Sequence, residues 1–555
     1  MDEPQQGSRA AEGEDSSAVT ADESPLTATR DLPLPAADDQ VLLRAMRGHF
    51  GAGAQPTYWL TRFVYLRAIG FIYCVAFLIL HNQMLPLFGS HGLLPAQTFM
   101  DNVHQYSTFW RLPGLFWFGA SDRALSWAAD AGLLLSILVL CGLENAFVMA
   151  ALWALYLSFV HVGQVWYGYG WETLLLEAGF LSIFLCPCTR IAPLRDPSAA
   201  PVLVIYMQRW LLFRLMLGAG LIKLRGDPCW RDLTCLAYHY ETQPNPHPLS
   251  WLLHQAPLWF HRAGTAFNHF VELIVPAFLL GRRSSRQLAG LLVIAFQTML
   301  ILSGNLSFLN WLTIAVALAC FDDAFWSRLL PRHIVQRAQR LEAARSPNRA
   351  RDWVAVGLSV LVLVLSISPV MNMLSPHQRM NTSFEPLHLV NSYGAFGSVG
   401  KLRDEVILEG TADARPGPGA HWRAYEFKCK PGDVKRRPCW ITPYHYRLDW
   451  QMWFAALSNY EQEPWIVHLV YKLLHNDAGV QRLMANRPFP HAPPRYIRAE
   501  RYRYRFTRIG HMNGAYWQRE RLAAYLPPLS LDSPSLLEFL GEQGFLRSER
   551  LRVEP

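Results

Sequence analysis

Apolar residues along this chain gather into nine runs divided by polar and charged stretches. The runs are Trp59–Leu80, Ala128–Leu140, Ala146–Val162, Leu174–Cys186, Val202–Leu221, Phe270–Leu280, Leu288–Ser303, Phe308–Phe321 and Trp353–Pro369. A helix needs about 20 apolar residues to cross a bilayer. Several runs are shorter, so the pattern admits five to nine spans. Beyond Met371 no membrane-length run recurs, and the text changes character. Val406–Gly410 and Trp422–Cys429 read as strands, Lys430-Pro-Gly-Asp433 as a turn, and Leu448–Tyr460 and Trp465–Leu474 as helices. Arg501-Tyr-Arg-Tyr-Arg-Phe506 alternates strictly, as a half-buried strand does, with one aromatic and one basic face. The fold class is a polytopic α-helical membrane protein carrying a C-terminal mixed α/β domain.

Charge favours the nine-span count. Lys and Arg near span ends mark the cytosolic face. With nine spans, Arg44 and Arg47, Arg190 and Arg195, Arg282, Arg283 and Arg286, and the seven arginines from Arg328 to Arg351 share that face. The N-terminus is then cytosolic. The opposite, lumenal face receives residues near 81–127, a loop at 225–267 and the tail. The organisation that follows is a cytosolic leader 1–55, a transmembrane region 56–371 and a lumenal soluble domain 372–555. The leader is polar, too poor in apolar residues to build a core, and is expected to be disordered. Trp59–Leu80 would act as a signal anchor. Half of the chain is hydrophobic, 51%, and only 17% is charged. The net charge of +8 mostly reflects the orienting arginines, which leaves a nucleic-acid partner without support.

Four of the nine cysteines fall on the lumenal side as two close pairs, Cys229 with Cys235 and Cys429 with Cys439. Disulfides persist in oxidising compartments, and each pair is a candidate local staple. Zinc is the alternative, with His239 after Cys235 and His445 after Cys439, although neither cluster has four ligands at zinc-finger spacing. Free thiols are the third. The sequons at Asn305 and Asn381 are candidate glycosylation sites. Polar residues also enter the apolar runs: Glu172 and Glu177, then Arg209, Arg214 and Lys223, then His269 and Glu272. Such residues are costly in hydrocarbon and are read first as functional. Here the equal spacing of Glu172 to Glu177 and Arg209 to Arg214 also suits ion pairing between two helices. The aromatic, glycine-rich segment His161–Glu172 reads as an interfacial anchor. Cys186-Pro-Cys188, at a span end on the cytosolic side, reads first as an inert pair in a reducing compartment, with palmitoylation as the alternative. Nucleophile-elbow, zinc-protease, phosphate-loop, dinucleotide and Cys-x-x-Cys motifs are not found; no cofactor is implied.

The longer strings carry a resemblance. Gly170-Trp-Glu172, Leu217-Gly-Ala-Gly-Leu-Ile-Lys223, Arg225-Gly-Asp-Pro-Cys-Trp-Arg-Asp-Leu-Thr-Cys235 and His239-Tyr-Glu-Thr-Gln-Pro244 belong to it. So do Ser303–Thr313, Ala319-Cys-Phe-Asp-Asp323, Asn391-Ser-Tyr-Gly-Ala-Phe-Gly397, Tyr425–Asp433, Arg437-Pro-Cys439 and Tyr444–Ala456. Over residues 58–530 the chain resembles the lipase maturation factor family, and looks closest to the animal branch that matures lipoprotein lipase. The resemblance implies an endoplasmic-reticulum membrane protein, not an enzyme, that helps secreted dimeric lipases fold. Its partners would be lipases of the lipoprotein, hepatic and endothelial type, the surrounding membrane lipids and other folding factors. No family catalytic residue transfers. The competing class is a membrane-embedded enzyme acting on lumenal proteins or lipids through Glu177, Lys223 or His269. A transporter would need internal repeats, and none is visible.

The arginine asymmetry makes a direct prediction. Protease added to sealed microsomes should cut within 328–351 and spare residues beyond Met371; protection of 328–351 would overturn the orientation.

Overall fold

A carboxylate far along the chain starts the first helix. Asp323 accepts the backbone N–H groups of Trp59, at 2.9 Å, and Leu60, at 2.7 Å, neutralising the orphan donors of a helix N-terminus. In a computed structural model, residues 56–143, 145–188, 194, 198–511 and 513–546 are described. The leader 1–55, with Arg44 and Arg47, and the loop residues Arg190 and Arg195 lie outside them. The helix that Asp323 caps, α1 (Trp59–Phe88), is followed by α2 (Ala96–Tyr106), α3 (Asp122–Leu140), α4 (Ala146–Val162), α5 (Gly170–Ile183) and α6 (Val202–Arg225). A single helical turn, Pro228–Arg231, and three short helices, α7 (Leu236–Thr242), α8 (Pro248–His254) and α9 (Leu258–His269), fill the predicted loop. Next come α10 (Arg283–Ser303), α11 (Leu309–Ala317), α12 (Arg332–Ala343), α13 (Arg349–Leu365) and α14 (Ile367–Leu374).

Five of these segments are long and apolar enough to cross a membrane: α1, α3, α6, α10 and the combined Arg349–Leu374. The chain is a multi-pass membrane protein. The other four apolar runs become shorter elements. α4 has 17 residues and α5 has 14. Phe270–Phe278 is a π-helical turn followed by a 3-10 turn, and Leu309–Cys320 is a short apolar helix. By length the structure therefore sits at the lower end of the five-to-nine range. α5 is buried almost throughout, so its continuous apolar run reflects enclosure by neighbouring helices. α1 and α3 pack closely at Gly132, where a Cβ would collide with the Phe77 ring.

The tail forms a four-stranded antiparallel sheet in the order β2-β1-β3-β4: β1 (Arg403–Thr411), β2 (Arg423–Ala424), β3 (Tyr496–Phe506) and β4 (Trp517–Leu529). β1 pairs with β3 in register, Val406 opposite Arg501 and Asp404 opposite Arg503. Helix α15 (Arg447–Leu457) packs on β1, α16 (Trp465–Leu474) packs on β3, and α17 (Pro534–Glu542) packs on α16. The alternation of β3 is observed: Tyr504 and Phe506 are buried with Trp517, the Phe506 and Trp517 rings stacking at 4.1 Å. The basic face is not simply solvated. Arg503 meets Asp404 at 2.9 Å, Arg498 meets Glu409 at 2.7 Å and Arg521 meets Glu500 at 2.8 Å. Of the three arginines in the 501–506 run, Arg503 is met by a cross-strand carboxylate, Arg501 donates to the Ser458 carbonyl at 2.6 Å and Arg505 is exposed.

The tail packs onto the helices instead of hanging from the last one. Arg403 of β1 donates to the carbonyls of Glu241, Gln243 and Pro244 in the 225–267 loop. The Phe506 N–H donates to Glu241, and Trp251 Nε1 to the Thr507 carbonyl, at 2.7 and 2.8 Å.

Candidate functional site

The membrane helices contribute carboxylates and the tail contributes much of what satisfies them. Near the start of α5, Glu172 is fully buried and accepts from Tyr156 Oη, from Trp171 Nε1 at 2.8 Å and from Arg447 Nη1 at 2.8 Å. Arg447 opens α15 in the tail and lies 3.5 Å above the Tyr167 ring. One and a half turns further on, Glu177 pairs with Arg214 of α6. It also accepts from the Asn391 N–H at 3.0 Å and Tyr393 Oη at 2.7 Å, while Arg214 donates to the Asn391 carbonyl at 2.7 Å. Two-helix pairing thus holds for Glu177 with Arg214 and fails for Glu172 with Arg209. Arg209 instead donates to the Ala319 carbonyl at 2.8 Å and Tyr58 Oη at 2.9 Å.

A third pair lies where α6 meets the π-helical turn. Lys223 Nζ donates to both oxygens of Glu272 at 2.5 and 2.6 Å, and Asn268 Nδ2 adds a bond at 2.8 Å. The π turn Phe270–Ile274 carries Glu272; one inserted residue re-aims a side chain, a device common at functional sites. His269 shares a hydrogen bond with the Trp230 carbonyl at 3.0 Å. The intramembrane residues therefore do not converge on one constellation. They form separate knots, and the carboxylates and amines mostly satisfy one another.

The structure joins Cys229 to Cys235 and Cys429 to Cys439, with Cα separations of 4.8 and 5.5 Å. Each bridge is local, and the loop and tail dock without a covalent link between them. Among the described residues no group of three or more His, Cys, Asp or Glu is placed to hold a metal. The sequons separate. Asn305 is 1% exposed; its Nδ2 donates to the carbonyls of Asn245, Pro246 and Cys439, and its Oδ1 accepts from the N–H groups of Ile441 and Thr442. A glycan on that nitrogen is incompatible with this arrangement. Asn381 is exposed, its Oδ1 receiving the Gly394 N–H at 3.3 Å.

The aromatic turn at 161–172 is a docking surface for the tail more than an interfacial anchor. Trp166 and Trp171 are buried; Trp166 meets Trp465 at 5.3 Å. Tyr169, Trp171 and Trp450 enclose His445, with centroids 5.5, 5.2 and 5.2 Å away. Burial holds the His445 imidazole well below its usual range, and the Arg447 charge adds to this. His239 and His388 are pushed down to about 4, again by burial first, with Lys223 and His161 respectively as further causes. Sequence reasoning passed over Arg447, Asn391, Tyr393 and Asn268 as partners. For Arg447, Asn391 and Tyr393 the signal was the strings Asn391–Gly397 and Tyr444–Ala456, which were recognisable without revealing their contacts; Asn268 stood in no such string.

Two family models match the chain: a lipase maturation factor transmembrane domain over residues 60–328 and a lipase maturation factor C-terminal domain over residues 389–527. The chain is 50% identical over 517 residues to Lipase maturation factor 1 of Homo sapiens, covering 88% of this chain and 91% of that protein. Lipase maturation factor 1 of Mus musculus is 50% identical over 505 residues, covering 86% and 88%. Lipase maturation factor 2 of Rattus norvegicus is 31% identical over 600 residues, covering 87% and 84%. No solved structure matches.

Two outcomes test this geometry. Arg447→Met alone leaves Glu172 buried without its cation and should destabilise the protein by about 3–5 kcal/mol. The double change Glu172→Gln with Arg447→Met should cost less, read as thermal unfolding of the detergent-solubilised protein. Equal losses would remove the pairing argument. The histidines set a pH response. An unfolded imidazole titrates near 6.5, whereas His239 and His388 hold out to about 4. Between those values the unfolded chain binds more protons, so stability falls as pH drops through that window. The slope is at most about 1.4 kcal/mol per pH unit for each such histidine. Melting temperatures at pH 7.5 and 5 should differ accordingly, and His239→Gln should reduce the difference.

Proposed function

We propose that this chain, which belongs to the lipase maturation factor family, acts as a membrane-anchored, chaperone-like factor in the folding of secreted lipases. The observation that carries the reading is the 50% identity to proteins named Lipase maturation factor 1 across both family domains. The clients we infer are dimeric lipases of the lipoprotein, hepatic and endothelial type. The site of action is the endoplasmic-reticulum membrane, with the N-terminus cytosolic and the tail lumenal, among membrane lipids and other folding factors. Two paired lumenal disulfides suit an oxidising compartment.

Mechanistically, an unassembled lipase exposes its dimer surface, and such surfaces aggregate. A holdase fixed to the bilayer covers that surface until a partner subunit arrives. Non-catalytic action agrees with the bonding of the intramembrane charges, since Glu177 and Lys223 are occupied by Arg214 and Glu272. The tail offers exposed apolar side chains for capture, among them Trp440, Leu457 and Leu402.

Deleting the tail is a poor test, because it also strips Arg447 and Asn391 from Glu172 and Glu177. Surface changes are cleaner. Trp440→Ser, Leu457→Ser and Leu402→Ser together should lower co-purification with a newly made lipase and the lipase activity gained per molecule, while leaving the melting temperature unchanged. The paired change Glu177→Gln with Arg214→Met, in whatever fraction folds, should retain maturation. If it abolishes maturation while lipase binding persists, an intramembrane enzyme becomes the better account.

A further inference from the structure

A cavity of about 340 Å³ lies between α6, α10 and α11 on one side and tail segments 393–398 and 450–454 on the other. Its lining is of two kinds. Leu215, Met216, Ala219, Leu300, Leu306 and Leu309 supply apolar wall. Lys223, Glu272, Asn268, Gln297, Asn310 and His239 supply polar wall. The polar part has no net charge. Lys223 and Glu272 neutralise one another at contact distance, His239 is held neutral by burial and the nearby ammonium, and the other three are amides.

Several of these polar groups are under-used. Asn310 is 1% exposed, and its Oδ1 has no hydrogen-bond partner, while its Nδ2 donates to Gln297 at 2.6 Å. Gln297 Nε2 reaches only the Met216 thioether, at 3.8 Å. Trp450, on the tail side, is 4% exposed and its indole N–H is also without a partner. A buried polar atom left unpaired costs about 1–3 kcal/mol, and native proteins rarely keep several together without a ligand or water to meet them. The lining thus presents a buried acceptor on Asn310, a buried donor on Trp450 and a weakly engaged amide, beside continuous hydrocarbon.

We propose that this cavity binds an uncharged, single-chain amphiphile of the monoacylglycerol class. The acyl chain lies along the leucine and methionine wall. A head hydroxyl donates to Asn310 Oδ1, and an ester carbonyl accepts from Trp450 Nε1. A fatty acid or phospholipid head brings a charge that this neutral lining does not compensate, and burying an unpaired charge is far more costly than burying a hydroxyl. The volume is at the small end for ligand sites, which favours one chain over two. Because Trp450 and residues 393–398 belong to the tail, occupancy couples the tail to the bilayer. The proposal is independent of which client the protein serves.

The test uses the purified full-length protein in detergent and a photoactivatable, alkyne-tagged monoacylglycerol. Labelled peptides should map to 213–223, 393–398 or 450–454, and unlabelled monoolein should compete while oleate should not. Ala219→Phe narrows the cavity and Ser398→Trp obstructs its exposed rim; each should lose the competed labelling with the melting temperature preserved. If Ala219→Phe does not fold, the rim variant decides. Equal competition by oleate would overturn the neutral-head assignment. Labelling confined to the outer faces of α1 or α13, labelling that persists in a folded variant, or no competed labelling at all would overturn the site.

Discussion

Buried carboxylates on α5 hold the architecture to a single solution. Glu172 and Glu177 are both 0% exposed, and removing a carboxylate from water costs several kcal/mol unless a cation and hydrogen bonds replace the solvent. Glu177 finds half of its compensation on α6, in Arg214, and the rest on Asn391 and Tyr393. Among the described residues, Glu172 finds its cation only in Arg447, 275 residues away. The helices therefore reach their low-energy state only with the tail in place, and the tail buries Arg447 only against the helices. Membrane part and tail are partners in one fold, even though family models divide them.

The same dependence orders the face that joins them. The aromatic turn at 161–172 packs under α15, Arg403 gathers three carbonyls of the 225–267 loop, and Asn305 binds the segment leading from Cys439 to Thr442. Arg403 and Asn305 are polar groups of one segment whose hydrogen bonds are completed by another, Arg403 also pairing with Glu405 on its own strand. The tail thus presents a surface fixed relative to the membrane helices, not a tethered domain sampling many orientations. Pre-organisation of this kind lowers the entropy that binding must overcome.

What the sequence made legible follows the range of the interaction. Strand β3 was readable because its alternation is local, and the pairing of Glu177 with Arg214 because it joins two neighbouring helices. The disulfide partners were legible because they are six and ten residues apart. Glu172 with Arg447 was not, since nothing in spacing selects among many arginines. Asn305 read as a sequon because its three-residue motif is intact, whereas its burial depends on a tail segment 134 residues on. Strand β4 was missed for a different reason. Residues 518–524 are exposed and rich in charge, and Pro527-Pro528 follow on this edge strand, where a missing N–H breaks no ladder.

The bridge between Cys229 and Cys235 shows how a local staple serves this non-local design. It fixes the turn that carries Trp230, where the Thr234 and Cys235 N–H groups both return to the Cys229 carbonyl at 2.8 and 3.2 Å. Trp230 then holds three segments at once. Its ring faces the Lys223 ammonium at 5.2 Å, its carbonyl meets His269 at 3.0 Å, and its indole N–H donates to the Phe396 carbonyl at 2.8 Å. One side chain thereby sets the end of α6, the start of the π turn that aims Glu272, and a tail segment beside the cavity. A covalent loop of six residues constrains few degrees of freedom by itself. Its influence comes from what Trp230 touches, which includes Lys223 and His269 beside the cavity that Trp230 itself helps to line.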